Sequence, residues 1–309
     1  MSVALGVLAA AASLVQVPAL PASGLAISDA RGIAFVDLNG RRLGMIEGFR
    51  FAPGDVAPGL PRFVDRRGRL WRLDRARRRL LPASAGEPLY GGATLSYARA
   101  QSTWFIRASS GRVLMRVRTP RQTLAVSERR DVVTSAGRAL DLRAQKVFEV
   151  PRACDVAAST RPNWILLCRD PHYLSHTPRT IEELVLGRRS LVARPPGRQP
   201  APNTQPVGHW VSVQLSPNRR AVLAQWSAEC ETPVAYLVTK WKRAVRRFGG
   251  PADVSIALGW TPAGAPLIFF PQGFCGATYR RGSGVYVFTG GEARRIVGTT
   301  SKQSVAMWR

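Results

Sequence analysis

The chain is short of lysine, of acid and of cysteine, and each shortage narrows what it does. Only four of its 45 cationic residues are lysines (Lys146, Lys240, Lys242, Lys302), and just 19 residues are acidic, for a formal charge of +26. Such an excess admits a polyanionic partner: nucleic acid, acidic lipid or an anionic wall polymer. The near-exclusive use of arginine, spread over nearly every segment, lacks the clustered footprint of a nucleic-acid binder. The four cysteines, Cys154, Cys168, Cys230 and Cys275, all lie in the second half, and no C-x-x-C occurs. That spacing excludes a thioredoxin-like redox pair and a zinc ribbon. No apolar run of 18 residues follows residue 30, which excludes a helical membrane bundle. There is no G-x-S-x-G, no S-x-x-K and no paired carboxylate motif, so no local signature of nucleophilic or acid–base catalysis is present. Sustained helical periodicity is missing as well.

What is present begins with an uncharged amino terminus. Residues 1–28 carry no charge, and Val3 to Val17 is apolar. Pro18 and Pro21 end any helix there. Residues 1–22 read as a signal peptide or N-terminal apolar segment, with small residues at Ala19 and Ala22 for cleavage, and 23–309 as one domain. The competing reading is a buried first strand. Export makes disulfides feasible among the four cysteines, with Cys154–Cys168 across a hairpin and Cys230–Cys275 between neighbouring repeats as the expected pairs.

The body repeats. Val211-Ser-Val-Gln-Leu215, Pro217, Ala221-Val-Leu-Ala224 and Cys230 match Val254-Ser-Ile-Ala-Leu258, Pro262, Pro266-Leu-Ile-Phe269 and Cys275. Val234 to Thr239 then matches Gly284 to Thr289, and a fainter copy runs from Val156 to Cys168. Short β-branched and aromatic runs bounded by Gly, Pro, Asn and Ser mark strands and turns. Hairpins are expected at 33–46, 70–81, 113–126, 139–150, 184–192, 234–247 and 284–296. A spacing of roughly 42 residues suits four-stranded propeller blades. The expected fold is therefore all-β: a propeller of seven four-stranded blades, or six if 113–150 is one blade. The terminal run Ser304–Trp308 is expected to close the ring.

Leu215-Ser216-Pro217-Asn218-Arg219-Arg220, followed by Ala221-Val-Leu-Ala224, resembles the strand–turn–strand signature of TolB-like β-propeller repeats, and Trp260-Thr-Pro-Ala-Gly264 is a second copy. The resemblance implies the architecture and an extracytoplasmic setting. It carries no partner contact.

Two further clusters are candidates. Asp170, His172 and His176, beside Cys168, have metal-ligand chemistry, but Pro171 and Pro178 place them in a loop, so solvated histidines are the plainer reading. Lys240, Lys242, Arg243, Arg246 and Arg247 form a candidate anion contact, interleaved with Trp241, Ala244, Val245 and Phe248. Their position in a repeat favours strand–turn–strand over an amphipathic helix. No cofactor and no metal are expected. The function expected is a non-catalytic, monomeric recognition module meeting a protein or an anionic envelope polymer. The alternatives are an enzyme built at a channel mouth, and a cytosolic scaffold or nucleic-acid binder.

Overall fold

The computed structural model describes residues 15–52, 62–74, 78–82, 86–119, 124–159, 163–169, 179–194, 208–227, 233–239, 244–250, 253–272 and 282–308. Among these residues there are seven antiparallel sheets and two single-turn 3-10 segments, and no helix is long and apolar enough to cross a membrane.

Each sheet is a meander built on four strands, named below from first to last. Sheet I joins the two ends of the chain: Ser304–Trp308, Gly24–Ser28, Gly32–Val36 and Arg42–Glu47. Sheet II is Phe49–Phe51, Arg62–Asp65, Leu70–Asp74 and Arg79–Pro82, and Val15–Gln16 adds a fifth strand beside the last. Sheet III is Glu87–Pro88, Thr94–Ala98, Thr103–Arg107 and Val113–Arg118, and sheet IV is Ala125–Val126, Val132–Ser135, Arg138–Asp141 and Lys146–Glu149. Sheet V is Cys154–Ser159, Asn163–Arg169, Arg179–Val185 and Arg188–Ala193. Sheet VI is His209–Leu215, Ala221–Ser227, Pro233–Thr239 and Ala244–Arg247; sheet VII is Ile256–Trp260, Pro266–Phe270, Gly284–Thr289 and Glu292–Gly298.

A strand with one wet face alternates apolar and polar residues, whereas a strand covered on both faces reads as an unbroken apolar run. Residues 222–226 (Val-Leu-Ala-Gln-Trp) are of the second kind, and alternation decides which neighbour each residue meets. Val222 and Ala224 pack against sheet V, while Leu223 packs against sheet VII. In the same way Ala306 and Trp308 face sheet II, and Val305 and Met307 face sheet VII. Six apolar clusters of this sort link II to I, I to VII, VII to VI, VI to V, V to IV and IV to III. Among the described residues sheets II and III share no such cluster.

The terminal strand pairs antiparallel with Gly24–Ser28 in register from Ser304↔Ser28 to Trp308↔Gly24. Gly24 is required there, because a Cβ on it would lie 2.3 Å from the Trp308 ring. Ahead of that sheet, residues from 15 onward are described. Val17 is buried and its N–H donates to the Arg78 carbonyl, and the Pro21 carbonyl accepts from Trp308 Nε1.

Two expectations are corrected. The hairpin at 113–126 does not exist: Val113–Arg118 pairs with Thr103–Arg107 as the last strand of sheet III, and Ala125–Val126 pairs with Val133–Thr134 as the first strand of sheet IV. The interval 113–150 thus spans parts of two sheets. In the match between the two strongest repeats, the turn and second strand (Pro217 with Pro262, Ala221 with Pro266) keep step with the structure, while the first strand, Val211–Leu215 against Val254–Leu258, is two residues out. The turn hydrogen bonds make Ser216 equivalent to Thr261, which matches Leu215 with Trp260 instead of Leu258. A slip of two leaves strand alternation unchanged and is invisible to an apolar pattern. At 234–247 the strand–turn–strand expectation holds for the described part, with Ala244–Arg247 paired to Tyr236–Thr239.

Candidate functional site

The site is assembled largely from the first hairpins of sheets IV, V and VI, with residues of sheet III beside them. In sheet VI, Ser216 N donates to Ala221 O at 2.9 Å, Arg219 N returns to Ser216 O at 2.9 Å, and Ala221 N donates to Ser216 Oγ at 3.0 Å. Thr261 repeats the arrangement in sheet VII with Ala265 and Gly264. Ser127 repeats it in sheet IV: its N donates to Val132 O, its carbonyl accepts from Arg130 N, and its Oγ accepts from Val132 N at 2.9 Å. In all three the fourth turn residue is left-handed, Arg219 at φ 61°, Gly264 at 82° and Arg130 at 56°. Ser127-Glu128-Arg129-Arg130 is therefore a third copy of the turn, with Glu128 in place of proline.

That replacement matters. Glu128 N donates to Ala157 O in sheet V at 2.8 Å, and Glu128 Oε2 accepts from Leu215 N in sheet VI at 3.2 Å. A side chain of sheet IV thus reaches a sheet two places away, so the sheets converge at their first strands. The turn itself is fixed by Asp131, which is buried. Its carboxylate accepts from Ser127 Oγ at 2.8 Å, from Arg143 Nε at 2.9 Å and from Ser159 Oγ at 3.4 Å. Arg143 in turn lies 4.3 Å from the Tyr90 ring centroid, tying in sheet III. Farther round, Gln214 Nε2 donates to Ala257 O and Gln225 bonds both Ser255 O and Ala257 N, joining VI to VII.

A cavity of about 730 Å³ opens between these first strands. Its lining includes Ala125 and Val126 from sheet IV, Asp155 to Ala157 from sheet V, and Val211 to Gln214 from sheet VI. The first strands of sheets V and VI each carry a β-bulge, which falls at Ala157 and at Val211. Bulges re-aim side chains and interrupt pairing, and both bulged residues line the cavity. Among the described residues its charged lining is Glu87, Glu128 and Asp155 with Arg118, Arg130 and Arg152. Arg130 Nη1 pairs with Glu87 Oε1 at 3.2 Å.

Of the residues expected from sequence, Cys154 and Cys168 are directly opposite in the first hairpin of sheet V and form a disulfide. Arg246 and Arg247 lie on the last strand of sheet VI, at the edge away from the cavity-lining strand. Arg247 Nη2 donates to Asp253 O at 3.1 Å, and it stands beside Tyr236, whose hydroxyl is pushed up by burial against the downward pull of that guanidinium. Asp170, His172, His176, Cys230, Cys275, Lys240, Lys242 and Arg243 lie outside the described residues. Among the described residues no group of three or more His, Cys, Asp or Glu is placed to hold a metal ion. Sequence reasoning misses the cavity residues because they are spread over several sheets. One signal is available: the Ser127 turn, once proline is not demanded at its second position.

No protein-family model matches the sequence, and no curated protein matches it. Solved structures do. The acylaminoacyl peptidase of Pyrococcus horikoshii superposes with a TM-score of 0.55 at 12% identity, covering 92% of this chain and 52% of that one. Its uncomplexed form gives 0.53 at 11% identity, covering 86% and 47%. The chain thus spans about half the length of these peptidases. The β-propeller domain of the Trilobed protease from Pyrococcus furiosus is matched over 92% of this chain and 98% of that one, at a TM-score of 0.37 and 8% identity. The likeness to the peptidases is one of fold alone, and identities this low carry no activity across; the seven consecutive meanders, each packed on the next except between II and III, are themselves of the propeller type.

Proposed function

We propose that the chain is a non-catalytic recognition module of the cell envelope, a TolB-like propeller of seven blades closed by Ser304–Trp308, which receives an extended segment of a protein partner in the first-strand cavity. One observation carries the reading: in a chain of formal charge +26, the described residues lining the cavity include three carboxylates beside three guanidiniums. A polyanion repeats a single charge, whereas the described lining interleaves carboxylates with guanidiniums. A peptide alternates charge and supplies main-chain donors and acceptors. The first strands of sheets V and VI pair on one side only within their sheets, so a peptide backbone has edges to meet. The cavity volume lies within the range of about 300–1,000 Å³ typical of ligand sites. The Cys154–Cys168 bond supports an oxidising compartment.

The test is a random peptide library selected on the wild-type protein and then offered to Ser212→Trp, which puts an indole into the cavity beside the first strands of sheets V and VI. Selected peptides are expected to lose binding to that variant while its thermal unfolding stays unchanged. Failure to select any peptide, or equal binding by that variant, overturns the proposal.

A further inference from the structure

Within the cavity the guanidiniums divide into two kinds. Arg130 is neutralised by Glu87, whereas Arg118 and Arg152 form no ion pair with a described residue. Their places in the fold are equivalent. Arg118 ends the last strand of sheet III and leads into the connector to sheet IV. Arg152 lies in the connector from the last strand of sheet IV to the first of sheet V. Equivalent connectors of successive sheets emerge on the same side, so the two side chains come to one cavity from adjacent positions. Arg152 is seated by Gly137, where a Cβ would stand 2.8 Å from Arg152 Cγ. Gly137 is left-handed at φ 84° and closes the turn that follows Ser135 and Ala136, themselves cavity residues. Ser135 and Ser212 line the same space.

Resting on the reading above, the geometry points to Arg118 and Arg152 as a paired clamp for a carboxylate of the bound segment, an acidic side chain or a chain terminus. Guanidinium forks match a carboxylate with two parallel hydrogen bonds each, and two forks on separate connectors fix its direction as well as its charge. Glu128 and Asp155 line the same cavity, so the acidic residue of the ligand enters a space of mixed charge. The ligand class is a mixed-charge peptide with its acidic residue held at the III–IV–V rim.

The experiment uses the full chain and three named probes in fluorescence or calorimetric titration: a hexapeptide of alternating glutamate and lysine, an oligogalacturonate of equal length, and inorganic phosphate. The alternating peptide is expected to bind most tightly. Arg118→Ala and Arg152→Ala each weaken it about tenfold, as expected for charge-assisted hydrogen bonds, and Arg152→Lys weakens it about threefold because charge remains and the fork is lost. Peptide binding that is sensitive to Ser212→Trp but indifferent to both alanine variants overturns the clamp and leaves the cavity reading standing. Tighter binding of oligogalacturonate or phosphate overturns the peptide assignment. Absence of any peptide binding removes both.

Discussion

The first and last strands of the sheets are built from the same chain but obey different rules. Every last strand carries at least one cation: Arg42, Arg79, Arg116, Lys146, Arg188, Arg246 and Arg294, one from each sheet. The first strands carry one arginine, Arg50, together with Glu87 and Asp155. At the last strands several of these cations are exposed, Arg42, Arg116, Lys146, Arg188, Arg246 and Arg294 among them. In the first hairpins polar groups are bonded across sheets, through half-buried Glu128 and buried Asp131, Gln214 and Gln225. Net charge is therefore a property of the rim, where screening makes it cheap. Selectivity belongs to the inner end, where an unpaired polar group is costly. The +26 that invites a nucleic-acid reading is spread around the wrong edge to define one site.

Substitutions at the two ends should separate accordingly. The largest effect is expected from Trp308→Ala on the first strand of sheet I. Trp308 is fully buried, stands 5.5 Å from the Phe35 ring and donates Nε1 to Pro21 O at 3.2 Å. Removing it should cost about 3–5 kcal/mol in urea unfolding. Ser127→Ala comes next, at about 1–3 kcal/mol, because Asp131 loses a donor while it stays buried. Asp65 tests a turn outside the cavity. Burial pushes its carboxyl up, but donation from the Arg69 backbone and side chain, from Trp71 Nε1 and from the Arg67 backbone wins, bringing it from 3.8 down to about 2. A depressed carboxyl stabilises the fold above its unfolded value and loses that contribution as pH falls through its folded value. Asp65→Asn should therefore flatten the acid limb of stability between 3.8 and about 2, while the wild type falls across that window. The smallest effect belongs to the rim: Arg246→Glu and Arg294→Glu should each change stability by less than about 0.5 kcal/mol. A rim variant as damaging as Trp308→Ala would erase the distinction.

How legible each end is in the sequence follows from the same contrast. Strands covered on both faces announce themselves as apolar runs, so most strands are found from residues such as 222–226 and 284–288. The Ser216 turn is legible through Pro217 and Asn218. Its Ser127 counterpart is not, because Glu128 and Arg130 occupy positions where proline and glycine or asparagine signal a turn. The false hairpin at 113–126 arises because the link between sheets III and IV is as short as a hairpin loop. Only tertiary pairing tells them apart. The cavity is illegible for a different reason: Glu87, Arg118, Glu128, Arg152, Asp155 and Gln214 come from four sheets and the links between them, and convergence in space leaves no spacing in the chain.

Hydrogen exchange with and without the alternating glutamate–lysine peptide tests the central claim directly. The account predicts new protection in Cys154–Ser159 and His209–Leu215, with the last strands Ala244–Arg247 and Glu292–Gly298 unchanged. Protection confined to those last strands would contradict it and return recognition to the arginine rim.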